Sequence, residues 1–454
     1  MSTLDQAKLQ TLLDETARKT GVPGSAVAVL HRGVLTEAAT GVTNLRTNVA
    51  TTTDTLFQIG SISKLWTAVL VLELVDEGIV GLDDPVQKHL PEFQVADADV
   101  SATITLRHLL THSGGFDGDY FTDTGRGSDA IAQFVAQLHT SEQFFAPGKM
   151  FAYNNAGWVV LGRLIEVLRE QDFHSVVRER LYAPLGLEFT ATLPEEALLY
   201  RTAVGHVRGA EDEGWIPAPV WSLPHSTAPT GAALTMSAGS LATFATMLAH
   251  DGVAENGTRI LSPDIARLLH RHHATLPVQG FIGDRFGHGA FLYDYEGGTA
   301  FGHDGQTIGQ TAYLRVLPDH DLVIVVMTNR ESPIVLFETI VGYVLETLTP
   351  VRLIPVPEAP TPQHVEATLI VGSYANNSLT AEVTIDDTGQ AYVQLGSPNL
   401  PMGNQPPLAI AALNRYTYLS QVKGDAPAIP FHFIDTDNSG TADFLSFVRL
   451  LRRV

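Results

Sequence analysis

From Leu65 the chain runs through Trp66, Val69, Leu70, Val71, Leu72, Leu74 and Val75 with almost no polar face before Asp76, which predicts a helix buried on most of its sides. Lys64 stands at its start, although a buried ammonium is costly unless it is paired or loses its proton. Upstream, Leu9, Leu12, Leu13 and Ala17 recur at helical spacing within Leu4 to Lys19, and "GSAVAVLHRGVLTEAATG" predicts a β-hairpin turning at His31-Arg32-Gly33. "YNNAGWVVLGRLIEVLREQ" and "SAGSLATFATMLAHDG" predict further helices, the second stopped by Gly252. "GQTAYLRVLP" and "DLVIVVMTNR" then predict two strands hinged at Pro318 to Asp321. Strands at both ends of this region with helices between them predict one mixed sheet completed by distant segments.

The pattern changes after Thr349. Five prolines in "TPVRLIPVPEAPTPQHVE" remove backbone donors and mark a boundary. The expected organisation is a catalytic domain over 1–350, a Pro-rich linker over 351–365 and a β domain over 366–454. In that last part, "AEVTIDDTGQAYVQLG" and "IPFHFIDTDNSGTADFLSFVRLL" alternate as short strands of a small barrel or sandwich.

Composition narrows the function classes. The 454 residues are 44% hydrophobic and 17% charged, an ordinary globular balance. A net charge of minus 21 argues against nucleic-acid or anionic-membrane partners, which need clustered Lys and Arg. The one dense basic cluster, Arg449, Arg452 and Arg453, reads as a solvated tail. With no cysteine, disulfides, thiolate catalysis and Cys-based metal centres are excluded. The N-terminus lacks a basic segment followed by an apolar run, and no stretch approaches an uninterrupted membrane span, so the expected location is cytoplasmic.

Ser61 and Lys64 form S-x-x-K at the mouth of the buried helix, and a separation of three residues puts both side chains on one face. A serine beside a lysine deprotonated by burial is a nucleophile with its base. The helix start adds backbone N–H groups and the positive end of the dipole for a developing oxyanion. The bland reading is a capping serine and a snorkelling lysine. The same motif at Ser420 and Lys423 precedes a loop and reads as chance, and Tyr-x-Asn is not specific by itself, since Tyr374-Ala375-Asn376 matches too.

Two further motifs follow in order: Tyr153-x-Asn155 in "FAYNNAGW" and His303-x-Gly305 in "FGHDGQTIGQTAYLRV". As a set the three resemble the penicillin-recognising serine hydrolases of β-lactamase-like fold, with "ITLRHLLTHSGG", "LYAPLGLEFT" and "LVIVVMTNR" as supporting phrases, over about Leu9 to Leu348. The resemblance implies an α+β fold: an antiparallel sheet flanked by helices, a helical lobe and, after it, a lipocalin-like β-barrel. It implies that Ser61 is acylated, that Lys64 helps remove its proton, and that Tyr153 shuttles protons with a pKa tuned by nearby cations, Lys64 first. Asn155 would orient Lys64 and the substrate, His303 and Gly305 would line the site, and the backbone N–H groups of Ser61 and Gln306 would form the oxyanion hole. No cofactor or metal is implied. Many β-lactamases of this type carry Lys-Thr-Gly where this chain has His303-Asp304-Gly305; a neutral imidazole followed by an anionic Asp304 is a poorer partner for a penicillin carboxylate.

The resemblance implies a serine hydrolase acting on a small ester, amide or peptide. Similarity to penicillin-binding-protein-type thioesterases, in the paired domains and in "FDGDYFTDTGRG", implies instead a cyclase that takes a peptide from a carrier-protein thioester. A non-catalytic binding protein on the same fold is the third possibility. Loops over Phe116 to Arg126 and Gly205 to Thr230, with Trp215, Trp221 and His225, are expected to shape the pocket.

Other patterns are set aside. No G-x-S-x-G is present. His108 and His112 have zincin spacing, but Leu109 stands where the catalytic Glu belongs. His270, His272 and His273 read as a polar helix end. "DTDNSGTADF" from Asp435 mimics an EF-hand loop, yet position twelve is Ser446, so a tight turn is expected.

Overall fold

The computed structural model describes residues 3–209, 214–355, 365–397, 406–421 and 428–454. Helix α1 (Gln6–Thr20) starts at Asp5, whose carboxylate accepts from the N–H groups of Ala7 and Lys8, and stops at Gly21 with φ of 66°. Strands β1 (Gly24–His31) and β2 (Val34–Gly41) are joined by Arg32 and Gly33, both at positive φ, the twist that a two-residue hairpin requires. The predicted helices are α2 (Ser63–Asp76), α3 (Asn155–Arg169) and α4 (Ala238–Ala249). Strands β3 (Ala274–Thr275), β4 (Arg285–Phe286), β5 (Phe291–Tyr295), β6 (Gly298–Gln306), β7 (Thr311–Leu317) and β8 (Leu322–Thr328) follow, then α5 (Ile334–Leu348).

These strands make one eight-stranded sheet in the order β2-β1-β8-β7-β6-β5-β4-β3. The expected mixed sheet is corrected: every pairing is antiparallel, because β3 to β8 follow one another as a meander and β1 runs against β8 with Ser25 opposite Thr328. Both faces are covered. Ala26, Ala28 and Leu30 of β1 and Val323, Val325 and Met327 of β8 join the core shared with α2, α3 and α4. The alternate residues Val27, Val29, Leu322, Ile324 and Val326 pack with Leu9 and Leu13 of α1 and Leu336 and Ile340 of α5. Continuous apolar strands such as "LVIVVMT" are what a doubly covered sheet needs.

Helix α2 lies within the helical core, with Trp66 stacked on Phe244 and edge-on to Tyr182. Its far end is held by Glu73, which accepts from Arg169 and Arg180. Without Glu73 both guanidiniums keep only Glu77 as a carboxylate partner. Glu73→Ala is therefore expected to cost about 1–2 kcal/mol in urea unfolding, the range of lost charge-assisted hydrogen bonds, and an unchanged midpoint would remove this role.

Beyond the boundary, β9 (Gly372–Ala375), β10 (Thr380–Ile385), β11 (Ala391–Gly396), β12 (Leu408–Ala412), β13 (Thr417–Ser420), β14 (Pro430–Ile434), β15 (Phe444–Phe447) and β16 (Arg449–Arg453) close into a barrel. Of the expected linker, residues 356–364 lie outside the described residues, as does Lys423 of the second S-x-x-K. The basic cluster is no solvated tail: it is the closing strand of the barrel, where Arg453 donates to the carbonyls of Leu369, Val371 and Ala442. The Asp435 segment forms a turn in which the Asp435 carboxylate accepts from the N–H groups of Ser439 and Gly440. Among the described residues no helix is long and apolar enough to cross a membrane.

Candidate active site

Ser61 sits in a single 3-10 turn, Gly60–Ile62, that feeds α2, and Lys64 follows one turn later. The Lys64 side chain is fully buried. Its Nζ lies 3.0 Å from Ser61 Oγ and donates to the carbonyl oxygen of Thr230 at 2.8 Å. Burial first, then the Arg449 guanidinium, holds the Lys64 pKa well below that of free lysine, against the opposing pull of Asp119. An unprotonated amine at this distance can take the serine proton.

Tyr153 is buried beside this pair, with its phenol close to Ser61. The Nζ of Lys64 and the guanidinium of Arg449 lie 4.8 and 4.7 Å from its ring centre. The expectation that cations tune its pKa down, Lys64 first, is corrected: burial dominates and pushes it up to about 12, and the main opposing charge is Arg449. A phenol that keeps its proton is a donor toward a leaving group. Its ring stacks on His112 at 4.3 Å, and His112 Nδ1 accepts from the N–H of Asn154 at 2.9 Å. His112 therefore supports Tyr153. His108 has a different task, a capping box with Thr105 at the start of the short helix Leu106–Leu110.

Asn155, the first residue of α3, accepts from the Thr230 hydroxyl at 2.8 Å and donates to Asp119 at 3.4 Å. It thus reaches Lys64 through Thr230, whose carbonyl takes the amine. Asp119 is also paired with Arg449 of the barrel, Nε to Oδ1 at 2.7 Å.

The end of β6 lies against the Ser61 turn. A Cβ on Gly305 would stand 1.8 Å from the Ile59 carbonyl oxygen, and one on Gly60 2.6 Å from Gln306 N. Side-chain-free positions on both sides bring the N–H groups of Ser61 and Gln306 to one end of the site. Strand alternation then separates the two neighbours of Gly305 in the third motif. His303 faces the catalytic side, 4.8 Å ring to ring from Phe291, with Nδ1 beside the Asp304 carbonyl and Nε2 without a hydrogen-bond partner among the described residues. Burial and then the Lys64 charge bring its pKa down to about 3, so it is neutral. Asp304 points to the opposite face, where Arg315 pairs with it. Its anionic charge is therefore not presented to substrate, a correction to the expected repulsion.

A cleft of about 950 Å³ lies near the site, lined by Tyr120, Trp221, His225, Ile308, Asn377 and Ser378; none of Ser61, Lys64, Tyr153, Asn155, His303 or Gln306 lines it. Both expected loops contribute to it, and so does the barrel. Trp215 does not line it; its ring lies against Arg208 and Arg330. The barrel is seated by Asn377, whose N–H donates to Asp117 at 2.7 Å, by Asn376, whose amide donates to Asp119 at 3.4 Å, and by Phe444 and Leu450 packed on Phe145. In the second Tyr-x-Asn, Asn376 makes this interdomain contact, whereas Tyr374 is buried in the barrel and donates to the Ile370 carbonyl. Asp119 and Thr230 fall in the two loops expected to shape the pocket and Arg449 in the basic cluster, but nothing in the sequence assigns them to Lys64, where only the tertiary fold brings them.

The chain resembles known proteins along its whole length. Residues 9–349 match the family model "Beta-lactamase". Penicillin-binding protein 4 of Amycolatopsis lactamdurans is 41% identical over 82% of this chain and 97% of its own. The crystal structure of SurE superposes with a TM-score of 0.79 at 26% identity, covering 99% of both chains. An octameric penicillin-binding protein homologue from Pyrococcus abyssi shares the fold with a TM-score of 0.66 at 21% identity, covering 99% of this chain and 100% of its own. Such relatives are consistent with a serine hydrolase or acyltransferase. With an S-x-x-K turn against a glycine-bearing strand and a matching model over most of its length, the chain belongs to the Beta-lactamase family.

Proposed function

We propose that the protein forms an acyl-enzyme on Ser61 and hydrolyses small esters, amides or peptides. The observation that carries this is Lys64, fully buried and 3.0 Å from Ser61 Oγ. The serine hydroxyl gives its proton to the Lys64 amine as Oγ adds to the carbonyl carbon. The oxyanion is held by the N–H groups of Ser61 and Gln306. Tyr153 protonates the leaving group as its bond to the carbonyl breaks, and water then releases the acid by the reverse sequence. His303 and Gly305 line the acyl side, and Asn155 keeps Thr230 and hence Lys64 in place. A D-configured acyl residue is proposed because a structure of SurE is with D-Leu.

Intact-mass measurement after a fluorophosphonate probe is the direct test. One adduct on the wild type and none on Ser61→Ala is the expected result; no adduct on the wild type, or an equal one on Ser61→Ala, removes the assignment and leaves the binding-protein reading. The size of the cleft, about 950 Å³ with one wall from the barrel, favours a second reading in which a peptidyl chain is accommodated and its own amine replaces water. Feeding a peptidyl thioester decides between them: a linear acid removes cyclisation, and a product lighter by one water removes simple hydrolysis.

A further inference from the structure

The tip of the barrel reaches the catalytic centre beside Tyr153. Phe447 of β15 pairs with Arg449 of β16, so Val448 alone makes the turn, at φ of 75°. A β-branched side chain in the left-handed region is strained. Val448 itself is 43% exposed and gains little from packing there. Its neighbour does the reverse: the Arg449 side chain is only 21% exposed, its Nε pairs with Asp119, its guanidinium lies over Tyr153, and its Nη1 is buried with no hydrogen-bond partner among the described residues. A buried guanidinium donor left unsatisfied is expensive, and backbone strain that aims such a group is a mark of function.

The charge inventory points the same way. His303 occupies the position of the third-motif cation but is neutral, Asp304 faces away, and Lys64 is committed to Ser61 and Thr230. Among the described residues, Arg449 is then the permanent positive charge beside the Ser61–Tyr153 pair. Asp119 takes its Nε and leaves Nη1 buried and without a partner among the described residues, a donor that a carboxylate oxygen satisfies once substrate moves in against it.

We propose that Arg449, delivered by the tip of the C-terminal barrel, is the carboxylate-recognising residue of the acyl-transfer site and binds an anionic group on the leaving-group side of the substrate. This rests on the acyl-enzyme reading above, with Tyr153 serving the leaving group. It gives the barrel a specificity role, and it makes the site incomplete in the catalytic domain alone.

The test uses the full chain and two thioesters of one acyl group, one leaving as mercaptoacetate and the other as mercaptoacetamide. They differ only in the negative charge. The wild type is expected to prefer the mercaptoacetate ester in kcat/KM by about tenfold or more, the discrimination that one charge-assisted hydrogen bond supports. In Arg449→Gln the ratio is expected to fall to near one, whatever happens to the absolute rates. Arg449→Lys, which keeps the charge and loses the fork, is expected to give an intermediate ratio, and it also serves should the glutamine variant fail to fold. Equal use of both esters by the wild type would overturn the proposal. So would a preference that survives in Arg449→Gln, or, should that variant not fold, a wild-type ratio in Arg449→Lys. Absence of fluorophosphonate labelling on wild-type Ser61 would instead overturn the acyl-enzyme reading on which it rests.

Discussion

Replacing Lys64 with methionine is expected to lower turnover about 10²- to 10⁴-fold, the usual reach of a positioned general base, and at the same time to raise the melting temperature at neutral pH. The two effects have one cause. Burial holds the folded-state pKa of Lys64 below that of the unfolded chain. Between the lowered value and about 10.4 the unfolded chain therefore binds the extra proton, and stability rises with pH across that window. At neutral pH the folded state bears the cost of holding the lysine head out of water, as ammonium or as the amine that has shed its proton, whereas methionine fills similar volume without that cost. The advantage of Lys64→Met should narrow as pH climbs toward 10. In the wild type, activity should rise with pH through the same folded-state pKa, since only the free amine accepts the serine proton. Calorimetry at pH 7 and pH 9.5 beside an acylation assay checks both parts. A variant less stable than the wild type at every pH would mean that the bonds to Ser61 and Thr230 outweigh desolvation, and would sink the argument.

Gly305→Ala is the second large effect. Its Cβ would have to stand 1.8 Å from the Ile59 carbonyl oxygen and 3.1 Å from Ser61 N, against backbone that cannot rotate away as a side chain can. Strand β6 must withdraw from the Ser61 turn, and the N–H of Gln306 withdraws with it. Losing one oxyanion donor costs about 10² to 10³ in kcat. The expected signature is a fall in kcat, with the substrate KM and the far-UV circular dichroism little changed. A variant with wild-type kcat would show that Gln306 takes no part.

Much of this is legible in the sequence. Helical spacing alone puts Ser61 and Lys64 on one face, because three residues are nearly one turn. Arg32-Gly33 between alternating runs gives the hairpin, and the proline-dense stretch separates helix-rich chemistry from a domain of short strands. The order of Ser61, Tyr153 and His303 carries the family resemblance. Misreadings arose where meaning depends on which surface a residue meets. Asp304 looked like a repulsive charge in the site because its sequence neighbours are there; one step along a strand reverses the face, and Arg315 waits on the other side. Arg449 looked like part of a tail because nothing local distinguishes a terminal basic cluster from a closing barrel strand.

Local geometry is written in consecutive residues: periodicity, turn chemistry and the spacing of a nucleophile from its base follow from backbone dihedrals that neighbours set. Tertiary packing decided which carbonyl takes the lysine amine, which face hides Asp304, and that an arginine from the second domain stands over Tyr153. Those outcomes depend on strand register and domain docking, where distant segments meet and burial energy chooses among alternatives that look alike along the chain.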